Sequence, residues 1–211
     1  MKTIVLAAAI LCSPALLAQP LESGTYDVYN QDISVEGILE GCSLVFTAVV
    51  TDTAYLDGAQ VLLNGSIALR TLGRKALLFS GKLGTRRLLA SGLGEWEQPS
   101  HFHFFTKTGT TAGHVKILDA ETPGYRLLIG PATQGPVFTL VKEMASEGGF
   151  SVGFNRKPGG QDVTASIDVA ASIKRDASGV AHRVRNNETA ISYAGCVSRL
   201  VSDLARRVKE K

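Results

Sequence analysis

The sequence predicts a mainly β protein, an antiparallel β-sandwich or open barrel that ends in an amphipathic α-helix. Short runs of β-branched or alternating residues recur at spacings of about 8–12 residues, with Gly, Asp, Asn and Ser between them, as in antiparallel all-β domains. No helical pattern alternates with these runs, which argues against a nucleotide-binding α/β fold. With 211 residues and 45% hydrophobic content, the chain can bury a substantial core.

The strands follow from these runs in order along the chain. We predict them at residues 24–29, 33–39, 43–50, 61–72, 76–83, 87–91, 101–108, 115–118, 126–129, 137–142, 150–155, 163–173 and 180–185. Glycine-rich and polar segments at residues 108–113 and 157–162 are expected to form hairpin loops.

The helix is predicted at residues 192–209, where apolar residues fall at helical spacing. Ser192 or Asn187 is placed to cap its start, and basic side chains near its end suit the helix dipole. We expect this helix to cover an open face or edge of the sheet. A membrane-surface or partner-binding helix is the alternative.

The first 18 residues have the features of a secretory signal peptide. Lys2 precedes an apolar run too short to span a bilayer, and the small Ala18 suits cleavage after it. We therefore expect an exported protein, periplasmic or secreted, with no transmembrane segment in residues 19–211. Those residues should form a single β-rich domain.

A short internal similarity leaves open a second interpretation, in which that domain consists of two duplicated halves at about residues 24–95 and 99–186. The segment 45–49 resembles 137–141, and a Gly-x-x-Val-x-x-Asn pattern follows each of them. β-Rich chains produce such matches readily, so the single undivided domain remains the first expectation.

Two cysteines, Cys42 and Cys196, remain after removal of the signal peptide. In an exported chain they most simply form one disulfide, which would tie the C-terminal helix to the strand beginning near Cys42. A pair of buried thiols is the alternative. The spacing does not match that of a thiol oxidoreductase, so we expect the bridge to be structural.

Charge is unevenly distributed along the chain. The formal charge of +3 is too small for a dedicated nucleic-acid binder. Residues 19–69 contain seven acids and no Lys or Arg, whereas residues 174–211 contain nine basic residues and four acids. We interpret this as complementarity within the chain, with a basic face for an anionic partner as the alternative.

His101 and His103 have the spacing that places two metal ligands on one face of a strand. A third ligand is missing, because His114 would lie too far along the hairpin expected at 108–113. We therefore expect two surface imidazoles and no metal or other cofactor. The catalytic motifs of serine hydrolases, nucleotide-binding loops and zinc proteases are absent, and Glu95 and Glu97 are interpreted as a strand end.

The most basic stretch lies between residues 69 and 93 and contains no acid. If loops at 73–75 and 84–87 project at one end of the sheet, they form an edge that binds an anionic partner. The candidate residues are Arg70, Arg74, Lys75, Arg86 and Arg87. Solvated turns and a charged strand edge that discourages aggregation are the alternative.

Together these features favour an exported, non-catalytic β-rich binding or envelope-associated protein. The expected partner is an anionic envelope component or another protein. One alternative is an inhibitor or immunity-type protein of the envelope, since a protein interface needs no motif. A second is a secreted hydrolase whose site is assembled from residues distant in sequence.

Overall fold

The computed structural model describes residues 22–73, 76–132 and 135–209. Twelve strands and two helices make up this part of the chain, in the order that follows. They are β1 (Gly24–Val35), β2 (Ile38–Asp52), β3 (Ala59–Leu72), β4 (Ala76–Leu89), β5 (Gly92–Glu97), β6 (His101–Phe105), β7 (Lys116–Asp119), β8 (Tyr125–Pro131), α1 (Pro136–Glu147), β9 (Gly149–Asn155), β10 (Val163–Asp168), β11 (Ala171–Arg175), β12 (Ala181–Arg185) and α2 (Glu188–Lys209). The mainly β class with a C-terminal helix is confirmed.

The strands form one large antiparallel sheet, one small sheet and a separate hairpin. The large sheet has the order β1-β2-β3-β4-β8-β7, and β5 pairs with the far end of β4. The small sheet has the order β10-β9-β6, and β11 pairs with β12. The architecture is sandwich-like and open, because β7 leaves the large sheet with an unclosed edge.

The core lies between the inner faces of the two sheets. Along β3, buried residues alternate with half-buried ones, as expected for a strand with one face in the core. Phe46 and Phe79 of the large sheet meet Phe104 of the small sheet edge to face, with ring centroids 6.2 and 6.3 Å apart. This aromatic packing fixes the small sheet against the large one.

Helix α2 lies on the inner side of β1, β2 and β3, and its buried face includes Tyr193 and Leu200. It begins at Glu188, four residues before the predicted start, and ends at Lys209 as expected. The predicted disulfide is present: Cys42 of β2 is bonded to Cys196 of α2, with Cα atoms 5.9 Å apart. The helix is thus covalently attached to the sheet that it covers.

The predicted strand at 137–142 is wrong, because these residues belong to helix α1. Its buried side chains are spaced one helical turn apart: Val137, Leu140, Val141 and Met144. Pro136 stands in the first turn, where its missing N–H costs nothing, and Gly148 ends the helix in the left-handed conformation. The segment 45–49, which resembles 137–141 in sequence, lies in strand β2.

Several predicted strand boundaries also differ. The strand expected at 33–39 is interrupted by a two-residue turn, in which Glu36 and Gly37 both have positive φ, as in a type I′ hairpin. The strand expected at 163–173 divides into β10 and β11. Residues 157–162 do connect a hairpin, β9 to β10. Residues 108–113 do not, because β6 pairs with β9 and β7 pairs with β8.

The predicted signal peptide, residues 1–18, lies outside the described residues.

Candidate functional site

The basic residues predicted to share one edge lie at two different ends of the large sheet. Arg70 is paired with Leu78, near the turn between β3 and β4. Arg86 and Arg87 lie eight and nine residues further along β4, about 27 and 31 Å away at 3.4 Å per residue. The expectation of a shared end is wrong, because residues 84–87 lie within an uninterrupted strand and form no turn. Arg74 and Lys75 lie outside the described residues.

At the far end of β4, both arginines interact with β5. The Arg86 guanidinium lies over the Trp96 ring, 5.4 Å from its centroid, and its Nε donates a hydrogen bond to the Gly94 carbonyl. The Trp96 ring in turn lies 5.2 Å from that of Tyr125. Arg87 is 3.7 Å from the Glu97 carboxylate. These contacts attach β5 to β4, which gives both arginines a structural role.

The opposite end of the large sheet combines exposed apolar side chains from two neighbouring hairpins. The turn between β1 and β2 is flanked by Val35 and Ile38, whose exposed fractions are 52% and 53%. Leu72, at the end of β3, is 60% exposed. β2 and β3 are adjacent and antiparallel, so the end of β3 lies beside the start of β2.

Two clefts join these side chains into one surface. The first, of about 460 Å³, is lined by Val35, Ile38 and Leu72 and by Leu78 of β4. The second, of about 520 Å³, shares Leu72 and Leu78 and continues to the end of β8. We call this continuous surface the tip surface and define it by six apolar residues: Val35, Ile38, Leu72, Leu78, Ile129 and Pro131.

Cationic side chains border the tip surface. Arg70 lines the first cleft and Lys116 the second, and both are exposed. Of the two acids in the first cleft, Glu36 is exposed at the turn, whereas Glu40 accepts a hydrogen bond from the Thr71 hydroxyl and lies 3.5 Å from Arg207.

His101 and His103 lie side by side on the outer face of the small sheet, with ring centroids 6.0 Å apart. The Nδ1 atom of His103 is buried without a hydrogen-bond partner, 3.7 Å from an oxygen of Asp162. Burial lowers the pKa of His103, and the Asp162 carboxylate partly opposes this. Within the described residues, no group of three His, Cys, Asp or Glu side chains is arranged to hold a metal ion.

His114 is far from the other two histidines in the topology. It precedes β7 and lines the second cleft of the tip surface. It does not lie on a β6–β7 hairpin as expected, because β6 pairs with β9 and β7 pairs with β8.

The apolar part of the tip surface was missed at the sequence level. Val35 and Ile38 were placed inside one strand, which would have directed side chains to both of its faces. The signal that identifies them is Gly37 between apolar residues, since glycine readily adopts the positive φ that a two-residue hairpin turn requires. Leu72 ends the strand predicted at 61–72, and the strand pattern itself does not distinguish it as exposed.

Among residues 22–73, 76–132 and 135–209, no helix has the length and apolar content needed to cross a membrane. Comparison with protein families, with curated proteins and with solved structures finds no match to this chain.

Proposed function

We propose that this chain is an exported, non-catalytic envelope protein that binds an anionic lipid surface through its tip surface. The observation that carries the proposal is the juxtaposition of three strongly exposed apolar side chains, Val35, Ile38 and Leu72, with exposed cations at one end of the sheet. Apolar side chains on hairpin tips can enter the boundary between headgroups and acyl chains. The neighbouring cations then meet the phosphate groups of the same leaflet.

The balance of forces predicts weak, reversible and salt-sensitive attachment. Complete burial of a leucine-sized side chain contributes about 1.5–3 kcal/mol, and insertion at an interface gives only part of this. Each cation near an anionic leaflet adds about 1 kcal/mol, which salt screening reduces. Neither contribution suffices alone, so attachment depends on both.

Two further observations support export. The Cys42–Cys196 disulfide suits an oxidising compartment. The first 18 residues have the composition of a cleaved signal peptide. An exported protein with an apolar, cationic end encounters membrane surfaces in the envelope.

Flotation with lipid vesicles tests the proposal. The mature protein should float with phosphatidylcholine vesicles that contain phosphatidylglycerol, and much less with phosphatidylcholine alone or at high salt. Replacing Val35, Ile38 and Leu72 together by Ser should lower the bound fraction at least about tenfold, because the apolar contribution is lost. The replacement Arg70→Ser should reduce the dependence on phosphatidylglycerol.

The chain offers a matched control at the opposite end of the same sheet. Leu89 and Leu93 are 49% and 52% exposed at the turn between β4 and β5. Replacing both by Ser removes two exposed apolar side chains outside the tip surface and should leave flotation unchanged. Equal loss of binding in the two variants, or equal binding to neutral and anionic vesicles, would contradict the proposal. Absence of flotation with both kinds of vesicle would also contradict it and would favour a protein partner for the tip surface.

A further inference from the structure

A second cleft region, of about 630 Å³, lies at the other end of the molecule from the tip surface. It is bounded by the start of β1, the end of β6, the C-terminus of α1 and the β11–β12 hairpin. Gly24 lines it, and Val35 of the tip surface is at the opposite end of the same strand, about 35 Å away at 3.3 Å per residue. The two surfaces are therefore separate.

A row of rings leads into this cleft along the outer face of β6. Phe105 lines the cleft and stacks on His103, with ring centroids 5.3 Å apart and planes inclined by 29°. The residue paired with His103 is Gly153, and a Cβ there would lie only 2.6 Å from the imidazole. Ser151 is paired with Phe105 and also lines the cleft. The small residues Gly153 and Ser151 on β9 thus leave room for the row of rings beside them.

Three cationic side chains line the same cleft. The Arg183 guanidinium packs on Gly24, where a Cβ would be 2.8 Å from Nη1, and it lies 5.9 Å from the centroid of the Tyr26 ring. Arg185 is held by Asp168, with Nε and Oδ2 2.7 Å apart. Lys107 is exposed at the end of the cleft near β6. Arg183 also lies 3.7 Å from the exposed Glu22 carboxylate, and Glu147 lines the cleft as well. Packing on Gly24 and Tyr26 supports Arg183, so little ordering is needed for it to bind an anion.

The combination of these groups defines the chemistry of a ligand. The face of an aromatic ring such as that of Phe105 packs against the C–H groups of a sugar, and the Ser151 and Ser166 hydroxyls can exchange hydrogen bonds with sugar hydroxyls. A guanidinium binds a carboxylate through two parallel hydrogen bonds. The volume lies within the range of small-molecule sites. We infer that this cleft binds an acidic oligosaccharide, a sugar chain that carries carboxylates.

Calorimetric titration of the mature protein without vesicles tests this inference separately from lipid binding. The probes are tetragalacturonate and its fully methyl-esterified form, which has the same sugar rings and no charge. We expect saturable binding of the acid and at least about tenfold weaker binding of the ester, because the charge-assisted hydrogen bonds are lost.

Three substitutions assign the binding to the cleft. Arg183→Gln, Lys107→Gln and Phe105→Ala should each weaken tetragalacturonate binding by about threefold to thirtyfold, with the largest effect at Arg183. The matched control Arg206→Gln changes an exposed arginine of α2 and should leave the affinity unchanged. Lys107 is exposed, so its substitution tests the site even if changes at Arg183 disturb the hairpin.

Absence of saturable binding of tetragalacturonate would overturn the inference. So would equal affinity for acid and ester, or affinities within twofold of the original protein in all three cleft variants. None of these outcomes affects the flotation result, because the tip surface plays no part in the titration.

Discussion

At the scale of single residues, the most consequential charge in the described structure is the buried carboxylate of Asp52. Its side chain is fully buried, and its oxygens accept hydrogen bonds from Arg156 Nε and from the Tyr55 amide, each at 2.9 Å. Arg156, itself 12% exposed, also contacts Glu97 at 2.5 Å. Asp52, Arg156 and Glu97 together join the end of β2, the β9–β10 loop and the end of β5, so these contacts fix three elements at the far end of the sheet.

We predict that Asp52→Asn lowers the free energy of unfolding by about 3 kcal/mol, because a buried arginine loses one of its two countercharges. Urea denaturation measures the change. The control is Asp119→Asn, which breaks a 2.6 Å contact with Arg126. The Asp119 side chain is 76% exposed, so this change should lower the free energy of unfolding by less than about 1 kcal/mol. If both variants lose a similar free energy of unfolding, burial of the ion pair does not determine its contribution to stability.

At the scale of elements, helix α1 is attached to the loop after β6 by the Glu143 carboxylate. The Thr106 and Thr108 hydroxyls and the amides of Thr108 and Gly109 donate hydrogen bonds to it. These bonds lower the pKa of Glu143 from 4.5 to about 2, and the two hydroxyl donors, Thr106 and Thr108, contribute most to the shift. The charged form is the one that the folded protein stabilises.

A pH-dependent contribution to stability follows. A carboxyl whose pKa is lower in the folded state contributes its full stabilisation above its unfolded pKa, and this is lost as the pH falls through the folded value. Glu143→Gln should therefore be less stable than the original protein at pH 6. The difference should shrink between about pH 4.5 and pH 2. Urea denaturation across this pH range measures the difference in the free energy of unfolding. The control variant Glu121→Gln, at an exposed position, should show no such trend. A pH-independent difference for Glu143→Gln would contradict the stabilising role of the charged carboxylate.

The same helix shows what sequence patterns could and could not predict. The run Val137–Val141 is rich in β-branched residues, which favour strands, yet its burial repeats every three to four residues. Pro136 before it and Gly148 after it were the deciding signals, because they mark a helix start and a helix end. In β3 and α2, by contrast, the period of burial and the residue preference agree, and the prediction was correct.

At the scale of the whole molecule, the sites arise from pairing that the sequence does not display. Ile38 and Leu72 become neighbours because β2 and β3 are antiparallel, and Arg183 reaches Gly24 across most of the chain length. The disulfide was predictable from cysteine number and expected export alone. The clefts were not, since strand registers and the division of 163–173 into two strands determine them.

The two surfaces lie at opposite ends, so the proposed lipid contact implies one orientation on the membrane. The single tryptophan of the chain, Trp96, lies on β5 opposite Arg86, which is eight residues along β4 from Leu78 of the tip surface, or about 27 Å at 3.4 Å per residue. We predict that brominated lipids, which quench only fluorophores within the bilayer, leave the fluorescence of vesicle-bound protein unchanged.

Moving the tryptophan makes this orientation directly measurable. In Trp96→Phe with Leu72→Trp, the fluorophore enters the lipid interface and should be quenched, whereas Trp96→Phe with Leu93→Trp keeps it at the far end and should not be. Leu72 and Leu93 are 60% and 52% exposed, so both new side chains have comparable access to solvent. Quenching of Trp at position 93 and not at position 72 would show that the protein binds the membrane in the opposite orientation. It would direct the cleft around Arg183 towards the membrane instead of towards the sugar polymers beyond it.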